Sequence, residues 1–180
     1  MSKRWIALAG LLGLAILVVG GTAMASSQSN SAPSSLSDVR TATAAYRSVA
    51  AAKADGYTLE LKDVYKKSCI ANLNEPVAGA MGVHMVNPDL LDAVLDPLKP
   101  EALVYERKNG DLKLVAVEYV AFKSAHPTKP KLFGMPFESS EGSRFFKPPN
   151  PLWSLHAWVW KANPSKLGGV FSAWNPRVSC

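Results

Sequence analysis

The sequence predicts an α+β domain in which one N-terminal amphipathic helix packs on a mostly antiparallel β-sheet, with a long proline-rich loop over one edge. Three observations carry this expectation. Apolar residues recur at helical spacing over residues 37–54; an Asn109-Gly110 dipeptide separates two alternating runs; and the stretches AGAMGVHMV and LWSLHAWVWK have the composition of strands.

The helix is read from SLSDVRTATAAYRSVAAAKADGY. Leu36, Val39, Tyr46, Val49 and Ala50 fall on one side of a helical period, while Arg40, Arg47 and Lys53 lie mostly elsewhere. Ser35 and Asp38 have the spacing of a capping box, and Gly56 is placed as a C-terminal stop.

Asn109-Gly110 accommodates the positive φ angles of a type I′ turn, so ALVYERK and DLKLVAVEYVAF read as a hairpin. A two-residue loop fixes the register, with Lys108 opposite Asp111, Glu106 opposite Lys113 and Tyr105 opposite Leu114. Alternation carried forward groups Leu103 and Tyr105 with Leu112, Leu114 and Ala116. It then brings Glu118 onto that same apolar face, followed by Val120 and Phe122. A carboxylate in such surroundings must be paired, protonated or close to water, because burying an unpartnered charge costs several kcal/mol.

In AGAMGVHMV the glycines leave room for a ligand or a neighbouring strand, whereas LWSLHAWVWK is apolar on both faces and reads as a central strand. NPDLLDAVLDPLKPE is broken by its prolines into turns or one brief helix. Residues 126–151, HPTKPKLFGMPFESSEGSRFFKPPNP, form the long proline-rich excursion, expected to be a functional loop or a lid packed by its own aromatics.

Lys3 and Arg4, an apolar run from Trp5 to Val19 and the small-residue sequence Ala23-Met24-Ala25 have the order of a secretory signal peptide over residues 1–25. The run is shorter than the ~20 residues that span a bilayer, so no membrane span is expected after cleavage. Residues 26–36 read as a disordered polar linker, and 37–180 as one globular domain. This predicts a secreted or periplasmic protein. Losing Lys3 and Arg4 lowers the formal charge of +6 by two, and the remaining lysines are scattered, which argues against a nucleic-acid partner. Cys69 and Cys180 are the two cysteines, and in an oxidising compartment they are expected to pair; no C-x-x-C spacing supports a thiolate metal site.

His84 and His156 each sit among hydrophobic residues in a strand, and Glu118 falls on an apolar strand face. Two imidazoles and one carboxylate can occupy one side of a zinc, iron or manganese ion and leave positions open, which makes these three the candidate metal ligands. Met81 and Met85 lie close to His84 in sequence and bring copper into consideration; Tyr119, Trp158 and Trp160 complete the candidate ligand-lining residues. The bland alternative is that each histidine is a satisfied core residue and Glu118 pairs with Lys123, Arg144 or Arg177. Trp153, Trp158, Trp160 and Trp174 serve a core or, if exposed, stack on sugars. No G-x-S-x-G elbow and no glycine-rich phosphate loop is present.

Through GAMGVHMVNP, PLKPEALVYE, LVAVEYV, LFGMPFE, LHAWVWKANP and WNPRVSC, covering most of the mature domain, the chain resembles a group of secreted bacterial proteins that carries no assigned activity. It departs from their pattern at Met85, where an aromatic is expected, and in a looser GGVFSAWNP. The resemblance implies that residues 37–180 form one unit containing both ends of the disulfide. The expected function is binding of a metal ion or small ligand at His84, Glu118 and His156, with hydrolytic or oxygen-dependent chemistry open to a bound metal. The rival is a non-catalytic envelope or interaction protein that binds glycan, apolar ligand or protein through an aromatic surface.

Overall fold

The computed structural model describes residues 34–141, 143, 149–166 and 168–180. The expected signal peptide, linker residues 26–33 and Arg144 lie outside them. Helices α1 (Leu36–Ala42) and α2 (Val49–Ala54) precede strands β1 (Leu59–Glu60), β2 (Cys69–Ala71), β3 (Ala80–Val86), β4 (Ala102–Lys108), β5 (Asp111–Phe122), β6 (Lys131–Leu132), β7 (Met135–Pro136), β8 (Glu138–Ser139) and β9 (Leu152–Ala157). The main sheet has the order β1-β3-β4-β5-β9-β8, with β2 also paired to β3, and each of its ladders is antiparallel. Strand content dominates a small helical part, in keeping with an α+β domain.

The expected continuous helix over 37–54 is interrupted. α1 starts with the capping box at Ser35 and Asp38. It stops at Thr43, whose hydroxyl donates back to the Val39 carbonyl at 2.8 Å. A 3₁₀ turn at Ala44–Arg47 follows, and extended Ser48 then caps α2 by accepting from the Ala51 N–H. Thr43 and Ser48 offer the backbone local alternatives to the helical ladder, a competition that apolar spacing does not register. The Thr43 hydroxyl also accepts the indole N–H of Trp160 at 3.0 Å, so tertiary contact fixes the break.

These helical pieces cover one face of the sheet. Val39 and Ala52 pack there against Val83, Met85, Leu103, Tyr105, Val117 and Tyr119. The Tyr105 hydroxyl donates to the Tyr46 carbonyl at 2.8 Å, tying β4 to the 3₁₀ turn.

The hairpin has the expected register from Lys108↔Asp111 to Tyr105↔Leu114, then shifts so that Val104 faces Ala116 and Ala102 faces Glu118. Val115 is the extra residue of a bulge, and its carbonyl accepts the N–H groups of both Trp160 and Lys161 instead. One added residue reverses every later side chain. Leu114 therefore shares the helix-covered face with Val117 and Tyr119, and Glu118 lies on the opposite face with Ala116, Val120 and Phe122. The expectation that Glu118 joins Leu112 and Leu114 is corrected accordingly.

On this opposite face Ala80, Val104, Val115, Ala116 and Trp158 are closed over by Val178 from the C-terminal tail. The tail is held by reciprocal backbone bonds between Ala80 and Asn175 and by the Cys69–Cys180 disulfide, whose Cα atoms are 5.6 Å apart. Gly79, at φ +83°, permits the crossing: a Cβ there would stand 2.1 Å from the Asn175 carbonyl oxygen.

The described residues between 126 and 141 carry regular structure rather than a structureless excursion. β6 and β7 form a small ladder turning through Phe133 and Gly134, Phe137 is buried, and β8 becomes an edge strand on β9. β9 itself ends at Ala157, so LWSLHAWVWK is a strand only in its first part. Among the described residues no helix is long and apolar enough to cross a membrane.

Candidate metal centre

Register explains why three residues from distant parts of the chain meet. Glu118 of β5 pairs directly with His156 of β9, while His84 of β3 pairs with Val104 of β4, which pairs in turn with Ala116. His84 and Glu118 are thus two strands apart and one pleat offset on the same face. Neighbouring strands are about 4.8 Å apart. The side chains reach each other across β4 because Ala102, opposite Glu118, contributes only a methyl group.

His84 Nε2 lies 3.1 Å from His156 Nε2 and 3.3 Å from Glu118 Oε2, and His156 Nδ1 lies 3.4 Å from Glu118 Oε1. One ligand atom from each residue falls within 4.8 Å of the others. The imidazole rings meet edge to face, at 90° and 5.3 Å between centroids. Donors about 2.1 Å from a shared ion are spaced about 3.0 Å in an octahedron and about 3.4 Å in a tetrahedron, and the two spacings from His84 Nε2 lie in that range.

All three residues are buried, His84 at 1%, His156 at 4% and Glu118 at 8% exposure, so their charge states are governed by desolvation. Burial pulls each histidine down to about 4, leaving both imidazoles neutral and able to donate lone pairs at neutral pH. For Glu118, burial raises the pKa, opposed by the nearby His84 and by a hydrogen bond from the Ser154 hydroxyl. No lysine or arginine pairs with Glu118 among the described residues. Lys123 is instead committed to Glu141 and Ser139. The buried Nδ1 of His84 lacks a hydrogen-bond partner of good geometry, the nearest backbone influence coming from Gly82.

The three side chains form part of the wall of a cavity of about 590 Å³. Leu59, Ile70, Met81, Val86, Val120, Phe122 and Leu152 give it much of its apolar lining, Phe171 and Trp174 come from the tail side, and Glu138, Ser139, Glu141 and Ser154 are among its polar members.

No protein-family model, curated protein or solved structure matches this chain. The reading of the site therefore rests on its own geometry.

The other sequence candidates separate by strand alternation. Met81 lines the cavity. Met85 and Tyr119, each one residue from a site member, point to the helix-covered face, where the Tyr119 hydroxyl donates to the Pro97 carbonyl. Trp158 is two residues from His156 and stacks beside it, centroids 6.1 Å apart, with its indole N–H donated to Ser172. Trp160 packs on the helical side between Arg40 and Arg47. Trp158 is buried, and Trp153, Trp160 and Trp174 are half-buried.

Two participants were not anticipated. Ser154 hydrogen-bonds Glu118, and its position two residues before His156 was a usable signal of a shared face. Glu101, buried on the helix-covered side near Tyr57 and Tyr119, is pushed up to about 8 by desolvation and accepts the Val120 N–H at 2.9 Å. Nothing in KPEALV marks it as buried.

Proposed function

We propose that residues 37–180 form a single extracytoplasmic domain that binds a transition metal through His84, Glu118 and His156 and presents its open positions to an apolar ligand cavity. The observation that carries this reading is the spacing of His84 Nε2 from the other two donors, 3.1 and 3.3 Å, in a buried group that has no other cation to answer Glu118 among the described residues. Neutral imidazoles and a carboxylate suit zinc, iron(II) or manganese. Copper(I) is less favoured, since Met85 faces away and leaves Met81 as the one nearby thioether on the cavity side. The disulfide supports an extracytoplasmic setting, because such bonds persist under oxidising conditions. A bound ion with an open position acts as a Lewis acid and activates water or oxygen.

Titration of the metal-free protein with cobalt(II) tests the reading. We expect one equivalent to bind with visible d–d absorption, lost in His84→Ala and in Glu118→Gln. Absence of a site-dependent spectrum refutes it. A second reading draws on the same apolar cavity: a metal-free pocket in which Glu118 orients a ligand by hydrogen bonding. It predicts ligand binding indifferent to metal.

A further inference from the structure

Resting on the metal reading above, the geometry points to the chemical class of the ligand: we propose an amphiphilic monocarboxylate, its head group on the metal and its hydrocarbon in the cavity. A divalent ion held by two neutral imidazoles and one carboxylate carries a net single positive charge, in a group whose members are nearly inaccessible to water. An unbalanced charge in such surroundings is costly, and one anionic ligand group neutralises it.

Among the described residues lining the cavity there is no lysine or arginine, so the ion would be the cation that these residues offer to a carboxylate. Glu138, paired with Ser154 across β8 and β9, adds an exposed carboxylate to the wall, and Glu141 is answered by Lys123, so neither offers a cation to a second negative group. Much of the remaining lining is apolar, from Leu59, Ile70, Val86, Val120, Phe122 and Leu152, beside the neutral polar Ser140, Ser143, Asn150 and Ser154, which suits a hydrocarbon chain over a charged tail. The volume of about 590 Å³ lies within the range of small-molecule sites.

The test is calorimetric titration of the full chain with decanoate, with and without one equivalent of zinc, and with 1-decanol as the uncharged probe of the same length. We expect decanoate to bind the zinc-loaded protein at least about tenfold more tightly than the metal-free protein, and more tightly than decanol by a similar factor. Equal binding of decanoate to both forms, or no binding to the loaded form, overturns the ligand class while the metal reading stands. Zinc that fails to load, read independently in the zinc titration, overturns the metal reading and the ligand assignment together. Phe122→Glu, which places a carboxylate in the hydrocarbon space without touching the donors, is expected to abolish decanoate binding and retain zinc. Undiminished decanoate binding in that variant overturns the proposed placement of the tail.

Discussion

Replacing both cysteines, Cys69→Ser with Cys180→Ser, should remove a large part of the stability of this domain while leaving its metal donors in place. The disulfide closes a loop with a sequence separation of 111 residues. In the chain-entropy account, opening a loop of that length returns about 4.8 kcal/mol of freedom to the unfolded state. The tail has other anchors, namely the two Ala80–Asn175 backbone bonds and Val178, buried against Val104 and Trp158. These keep it docked, so the native state changes little and the loss is close to the unfolded-state figure, about 3 to 5 kcal/mol. With a urea m-value of about 2 kcal/mol per molar, the unfolding midpoint should fall by about 2 M. Tryptophan fluorescence and far-ultraviolet circular dichroism in parallel urea titrations measure it. A shift under about 0.5 M would refute the reasoning, showing that the disulfide adds nothing beyond the tail's other contacts. His84, Glu118 and His156 lie on β3, β5 and β9 rather than on the tail, so zinc affinity should persist. Phe171 and Trp174 form the tail-side wall and stay docked with the tail, so decanoate affinity should persist as well.

Gly79→Ala sets a Cβ against the Asn175 carbonyl oxygen at a φ of +83°, and should cost about 2 to 4 kcal/mol in urea unfolding; a loss below about 1 kcal/mol would show that the tail crossing yields easily. For Glu101, the folded pKa of about 8 exceeds the ordinary glutamate value of 4.5, so between those values the folded state binds more protons than the unfolded. The stability that this group contributes is therefore present at acid pH and lost as pH rises through about 8. Glu101→Gln in the metal-free protein should flatten the decline between about pH 4.5 and 8 by about 1 kcal/mol per pH unit, measured as urea midpoints across pH, and an unchanged slope in that window would contradict this.

Legibility in the sequence followed the reach of each interaction. The Ser35–Asp38 capping box and the Asn109-Gly110 turn depend on residues a few positions apart, and both lie where local pattern puts them. The break at Thr43 and the bulge at Val115 depend on Trp160 and Lys161, more than forty residues along the chain in the nearer case. The bulge alone exchanged the faces of Glu118 and Tyr119. The three donor residues stood out as polar groups in apolar strands, but their meeting depended on sheet order, on the direct Glu118↔His156 pairing and on the small Ala102 between Glu118 and β3. Met85 and Tyr119 were separable without a structure, since a residue adjacent to a site member on a strand points to the other face. The cavity was not legible, because its walls come from β1, the edge strand β8 and the tail.

Whether His84, Glu118 and His156 hold a metal is decided by elemental analysis, using inductively coupled plasma mass spectrometry, of the purified protein beside a folded His84→Ala/His156→Ala variant. Near-stoichiometric zinc, iron or manganese is expected in the wild type, with its loss in the variant. A wild type that carries no metal, and takes up none after incubation with zinc, iron, manganese and copper salts, would contradict it.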